Sequence, residues 1–188
     1  MDLPTNKEAL LAALEHGRAI WDALLARLDA ATMAEPEVEG DWSVRDILAH
    51  VVAYEQYAAA HAGDLARHGT PSGQAVAALD AYHREQLAAY RREHPDAPDD
   101  VEKLGTDQLN DLFVTEWRAV SLAELLAQGR RAYDDTVGAV ILLSEEALAA
   151  PQQIFGDRSM LRMLPYQSYI HYEKHAVWIE RWLAQRGQ

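Results

Sequence analysis

Through most of this 188-residue chain the apolar residues return every three or four positions, and no stretch sustains the alternation of a strand. The first long stripe is Leu10, Leu14, Gly17, Trp21, Leu24 and Leu28, spaced 4, 3, 4, 3, 4. That is the pattern of a helix packed lengthwise in a bundle. Thr5 and Glu8 stand ahead of it at capping-box spacing. Thr32 to Asp41, with Pro36 and Gly40, has no helical period and reads as a loop. A second helix is expected from Ser43, with Asp46 three residues on, and its inner face carries Ile47, His50, Tyr54, Tyr57 and His61. Gly69, Thr70, Pro71 and Gly73 then break the chain.

A third amphipathic segment runs from Gln74 to about His94, followed by an acidic, proline-bearing loop and a shorter helix over about Thr106 to Arg118. Ser121 and Glu124 open another helix, with the stripe Leu122, Leu126, Gly129, Tyr133, Thr136 and Val140. After a short turn at Ser144 to Ala150, residues Pro151 to Leu164 read as a connection, and Pro165 suits the first turn of the last helix. These readings predict an all-α fold, a four-helix bundle whose second and third members are joined by a long crossover, about 74–118, carrying extra helix. A crossover of that length permits parallel neighbours. The whole chain, 1–188, is expected to form one domain, since 49% apolar residues is enough for one substantial core.

The formal charge of -13 predicts a surface that repels phosphate backbones and anionic lipid, so neither nucleic acid nor membrane is an expected partner. With no cysteine, the strong metal ligands available are His, Asp and Glu. No basic-then-apolar leader opens the sequence and no apolar run approaches the roughly 18 residues that cross a bilayer, which makes a cytoplasmic location the expectation.

Chemistry concentrates in the last helix, at HYEKH. His171 and His175 are four residues apart, so on a helix their Cβ atoms lie roughly 6 Å apart on one face, within reach of one metal ion. Two histidines rarely suffice, and His50 is the candidate third ligand. Three neutral imidazoles suit Zn or Ni and leave positions open for water or substrate. Asp46, one turn before His50, is the expected partner for that ring's second N–H. The inner-face residues Tyr54, Tyr57 and Trp178 are expected to line a cavity beside the ion, with His61 at its open end, and Tyr54 or Glu55 are the candidate proton carriers. HYEKH fits neither arrangement of the zinc-protease signature, so peptidase chemistry is set aside. The competing reading is plain: a histidine on an apolar helix face is more often a hydrogen-bonded core residue than a ligand.

Trp42, Ser43, Asp46 and His50 on one helix, with His171 and His175 on the last, resemble the DinB-like superfamily of bacterial four-helix bundles (DinB/YfiT-like), in which a Trp-Ser helix start leads to one histidine and a His-x-x-x-His closes the chain. The long middle and the IHYEKHAVWIERWL ending are most similar to the ClbS/DfsB branch. The resemblance implies three histidines binding Zn or Ni in a cleft open at one end. It also implies a detoxification-type activity on a small electrophilic molecule: a hydrolase, or a transferase using a low-molecular-weight thiol such as bacillithiol or mycothiol. The alternative it leaves open is a ClbS-like resistance protein that binds or sequesters a small molecule without a metal. Paired bundles are common, and a homodimer is the expected assembly.

Overall fold

The computed structural model describes residues 3–187. In chain order its helices are α1 (Lys7–Leu25), α2 (Ala30–Met33), α3 (Val44–His68), α4 (Gln74–Glu93), α5 (Thr106–Trp117), α6 (Leu122–Leu142), α7 (Glu145–Ala149), α8 (Met160–Tyr166) and α9 (Tyr169–Gln185). Helices α1, α3, α6 and α9 form the bundle, and α4 and α5 make up the crossover. Among the described residues, strand is confined to an antiparallel pair, β1 (Pro151–Gln152) and β2 (Arg158–Ser159). Two-residue strands are too short to show an alternation, so the sequence presents them only as a connection. No helix of the described residues is long and apolar enough to cross a membrane.

Helix starts follow local hydrogen-bond chemistry. Ser43 and Asp46 satisfy each other's backbone N–H groups in a reciprocal capping box at the start of α3. At α1 the cap is Asn6, whose Oδ1 accepts from Ala9 N–H at 2.8 Å, in place of the expected Thr5 and Glu8 pair. Helix α3 stops at Gly69, which adopts the left-handed conformation at φ 72° that costs other residues free energy. Past that break the buried carboxylate of Asp64 accepts from the N–H groups of Gly73, Ala75 and Val76 at 2.9, 3.1 and 3.0 Å, tying the start of α4 back onto α3. Pro165 lies near the end of α8 and not in the first turn of the final helix, which begins at Tyr169.

Contacts between the long helices define their directions. The start of α3 meets the start of α6, where Arg45 donates to the carbonyl of Val120. Midway along, Val52 lies against Gly129. The two helices therefore run parallel, as the long crossover permits. Helices α1 and α9 are also parallel, from Gly17 against Tyr169 to the Arg27–Glu180 ion pair. Lys7 at the start of α1 reaches the carbonyls of Ile141 and Leu143 at the end of α6, so those two helices are antiparallel. The apolar stripes meet in one core that includes Leu10, Leu14, Trp21, Ile47, Val140 and Ile179, with a smaller core of Leu87, Tyr90, Ala97 and Leu112 inside the crossover.

At the centre of the bundle the core is polar. Arg18 of α1 donates to Glu55 of α3 at 3.2 Å and to the Gly129 carbonyl of α6 at 3.1 Å, while Tyr172 of α9 donates its hydroxyl to the same Glu55 oxygen. One node joins all four bundle helices. Its neighbour Gly17 sits where α1 and α9 touch: a Cβ added there would stand 2.2 Å from Tyr169 Cβ, within backbone-scale packing that cannot swing aside. The Gly17→Ala variant is expected to lose about 1–3 kcal/mol of stability, read as a lowered urea midpoint, even though alanine raises intrinsic helix propensity.

Candidate metal centre

Helix α3 presents His50 and helix α9 presents His171 and His175 to a common point. Among the described residues these three form a group whose candidate ligand nitrogens all lie within 4.8 Å of one another. The Nε2 atoms of His50 and His171 are 2.9 Å apart, and the ring centroids of the three imidazoles are 4.7 to 5.1 Å from each other. His50 is 4% and His175 2% exposed, and His171 is partly covered. Burial lowers all three from the ordinary histidine value. His50 falls to about 3 and His171 to about 2, with the neighbouring rings adding to the effect. In His175 burial again dominates, opposed by Glu39. At neutral pH each ring is therefore uncharged and carries the lone pair a metal needs.

Glu39 is the residue the sequence did not single out. Its Oε2 lies 2.6 Å from His175 Nδ1, the outer-shell contact that orients an imidazole and leaves Nε2 for an ion. A tight turn places it there, with Gly40 at φ 60° and Val38 N–H bonded to the Trp42 carbonyl at 2.8 Å. No periodicity marks such a position. The signal available was only an acid in the loop leading into the Trp42–Ser43 helix start. Asp46, expected on His50, is instead spent on the capping box, accepting from both Ser43 N–H and Ser43 Oγ at 2.9 and 2.6 Å.

The donor set fits a divalent ion. His175 Nε2, buried and without a hydrogen-bond partner, is left free for an ion, a condition a folded core normally avoids. Two nitrogens each roughly 2.0–2.1 Å from one ion stand about 3 Å apart, close to what the His50 and His171 Nε2 atoms show. A polar cavity of about 690 Å³, with Trp42 and Asn110 in its wall, opens over His50 and His175.

The other expected site residues divide. Tyr54 stands beside the histidines, its ring 4.9 Å from His50 and 5.1 Å from His171, and its hydroxyl donates to Asn110 Oδ1 at 3.1 Å. Tyr57 and His61 do not line this cavity. Phe113 packs edge-on against Tyr54 and tilted against Tyr57, between the two tyrosine rings. Tyr57 bonds Asp80 at 2.9 Å, and His61 Nδ1 meets the Pro71 carbonyl at 2.6 Å. Beside them His83, for which the sequence suggests no partner, is fully buried against Glu116 at 2.8 Å. Trp178 is 37% exposed with Arg181 over its ring. The buried face of α9 follows Tyr172, His175, Ile179 and Trp182, and Trp178 falls off its edge. Glu55 faces Arg18 and Tyr172, not the histidines, so it is no proton carrier for this cavity.

A parallel-and-antiparallel helical bundle that brings three uncharged imidazoles from two helices together, two of them at the floor of a polar cavity, defines a class: histidine-site bundle proteins. The chain belongs to the DinB superfamily, whose family model matches residues 13–176. It is similar in structure to an uncharacterised protein from Escherichia coli UTI89 (14% identity, 98% of this chain and 96% of that one, TM-score 0.67). It is also similar to the Sibling Lethal Factor Precursor DfsB (19% identity, 98% and 99%, TM-score 0.66). A third structure is the colibactin self-resistance protein ClbS in complex with a dsDNA (15% identity, 96% and 96%, TM-score 0.65). At these identities the fold is what is shared. No curated protein matches the chain. The ClbS complex overturns the expectation that excluded nucleic acid on net charge: a protein of this fold is in complex with a dsDNA, so a formal charge of -13 does not by itself exclude such a partner.

Burial pushes the Glu55 carboxyl up from 4.5 to about 7, against the pull of Arg18 and the Tyr172 hydroxyl. A raised carboxyl value means that the folded chain keeps a proton that the unfolded chain releases, so this group's contribution to stability falls as pH rises from about 4.5 to 7. Urea denaturation of the Glu55→Gln variant across pH 5 to 8 is expected to show a slope of stability with pH that is less negative in this window, by at most about 1.4 kcal/mol per pH unit.

Proposed function

We propose that this protein is a divalent-metal-dependent enzyme that acts on a small electrophilic molecule, by hydrolysis or by transfer of a low-molecular-weight thiol, with His50, His171 and His175 holding Zn or Ni. The observation that carries the reading is the convergence of three uncharged imidazoles, two buried and one partly covered, on one point. A divalent ion bound there supplies Lewis acidity, polarising the electrophile and easing deprotonation of a water or thiol. The chain's own residues do the rest. Glu39 holds the His175 ring by Nδ1. Tyr54 is raised above the ordinary tyrosine value by burial, so its phenol keeps its proton, and its hydrogen bond to Asn110 Oδ1 fixes the Asn110 side chain in the cavity wall. Trp42 and Tyr54 pack against the His50 ring, at 5.2 and 4.9 Å between centroids, and hold it in place. The DinB superfamily membership supports the metal.

One observation favours a second reading. The His50 and His171 Nε2 atoms, 2.9 Å apart, are within hydrogen-bond distance, so the pair is satisfied without an ion when one ring carries its proton there. With the structural likeness to the self-resistance protein ClbS, this supports a metal-free protein that binds a reactive small molecule.

Metal analysis of purified protein separates the two. The enzyme reading expects about one equivalent of Zn or Ni per chain, lost in a His171→Ala, His175→Ala variant. Equal, substoichiometric metal in both proteins removes it. The Glu39→Ala variant is expected to bind the ion roughly 10- to 100-fold more weakly while keeping a native melting curve, since Glu39 acts through the orientation of His175. A ligand that raises the melting temperature without turnover and without metal supports the sequestering reading.

A further inference from the structure

The cavity above the histidines is unevenly charged. Its wall holds Glu39 and Asp41 from the loop before α3 and Asp107 and Asp111 from α5, against a single cation, Lys174. Glu39 is engaged with His175, and Asp111 accepts the Tyr90 hydroxyl at 3.0 Å with His94 Nε2 at 3.5 Å. Asp41 and Asp107 are exposed and pair with no cation of this chain among the described residues. Four carboxylates against one ammonium leave a formal charge of minus three, which a divalent ion at the histidines does not cancel.

Acidic side chains around an opening are usually just a solvated rim. Here the cavity floor is His50 and His175, both buried, and His50 Nδ1 and His175 Nε2 have no partner. A ligand-receiving base therefore underlies the acidic wall. The same wall contains the Trp42 indole, packed 5.2 Å from the His50 ring. An indole face beside unpaired carboxylates is the combination that recognises a positively charged nitrogen, by cation–π attraction and by Coulomb attraction together.

We infer that the molecule bound at this site carries a cationic nitrogen, an alkylammonium or guanidinium group, seated between Asp41 and Asp107 against Trp42, with its reactive part directed toward the histidines. The inference rests on the reading of the histidine cavity as the substrate site. It narrows the substrate class: a small anion meets net repulsion in this vestibule, and a neutral electrophile gains nothing from the carboxylates.

Choline is a suitable probe, because its quaternary nitrogen cannot ligate a metal and its hydroxyl is shared by the uncharged control, so the difference between the two reports on the wall. Calorimetric titration would compare it with 3,3-dimethyl-1-butanol, its uncharged carbon isostere, and with 3,3-dimethylbutyrate, an anion of the same skeleton. Choline is expected to bind roughly tenfold or more tightly than the alcohol, with no heat from the anion. In the Asp41→Asn, Asp107→Asn variant choline affinity is expected to fall roughly tenfold. An Asp134→Asn, Asp135→Asn variant, altered in a separate groove between α3, α4 and α6, is expected to bind choline like the parent and so controls for the general pull of a chain of charge -13. Equal affinity for choline and the alcohol, or equal losses in the two variants, overturns the inference. Metal content measured on the same samples separates it from the reading beneath it. Bound metal without preference for the cation sinks this inference alone. Preference for the cation without metal sinks the metal reading and leaves this one standing.

Discussion

The hydrogen-bonded ion pair of Arg18 and Glu55, closed by the Tyr172 hydroxyl and the Gly129 carbonyl, is the constraint on which the bundle's geometry depends. Leucine stripes tolerate sliding, because one apolar layer packs almost as well as the next. A buried guanidinium does not: a slip of one turn leaves a charge without its partner in the core, at a cost of about 3–5 kcal/mol. The node therefore fixes the register of α1, α3, α6 and α9 together, and burial of charge is the source of its specificity.

That register also builds the histidine centre. Tyr172 follows His171 directly on α9, and Glu55 lies five residues after His50 on α3, so the node and the imidazole cluster occupy adjacent levels of the same two helices. Once Tyr172 reaches Glu55, the antiparallel course of α3 and α9 carries His171 to His50. Burial then keeps the rings uncharged, which makes them competent ligands and also leaves three nitrogens without partners. A structural ion pair and a reactive site thus use opposite remedies for burial. The first pairs its charges, and the second sheds them.

Much of this was legible in the chain. The four long stripes, the Ser43–Asp46 cap, the helices of the crossover and the face shared by His171 and His175 are consequences of helical period and local capping, which act over a few residues. What local pattern cannot convey is competition for a side chain. Asp46 lies one turn from His50, yet the backbone N–H groups beside it are nearer and claim it. Tyr57 and His61 share a stripe with His50, but Phe113 from α5 divides that stripe into two environments. Trp178 illustrates the same limit at the edge of a face, where a small rotation about the helix axis exchanges core for solvent.

The sequence by itself determined an all-α chain with paired histidines on its last helix and a third on its second, because amphipathic period and i, i+4 spacing are properties of one segment. Tertiary structure alone decided that Glu39 and not Asp46 supports the centre, that Glu55 belongs to the core node and not to the cavity, and that the acids of α5 face the histidines across an open vestibule. The physical reason is range. Helix formation is settled by neighbours within a turn, whereas hydrogen-bond partnership and local potential depend on groups brought together from distant parts of the chain.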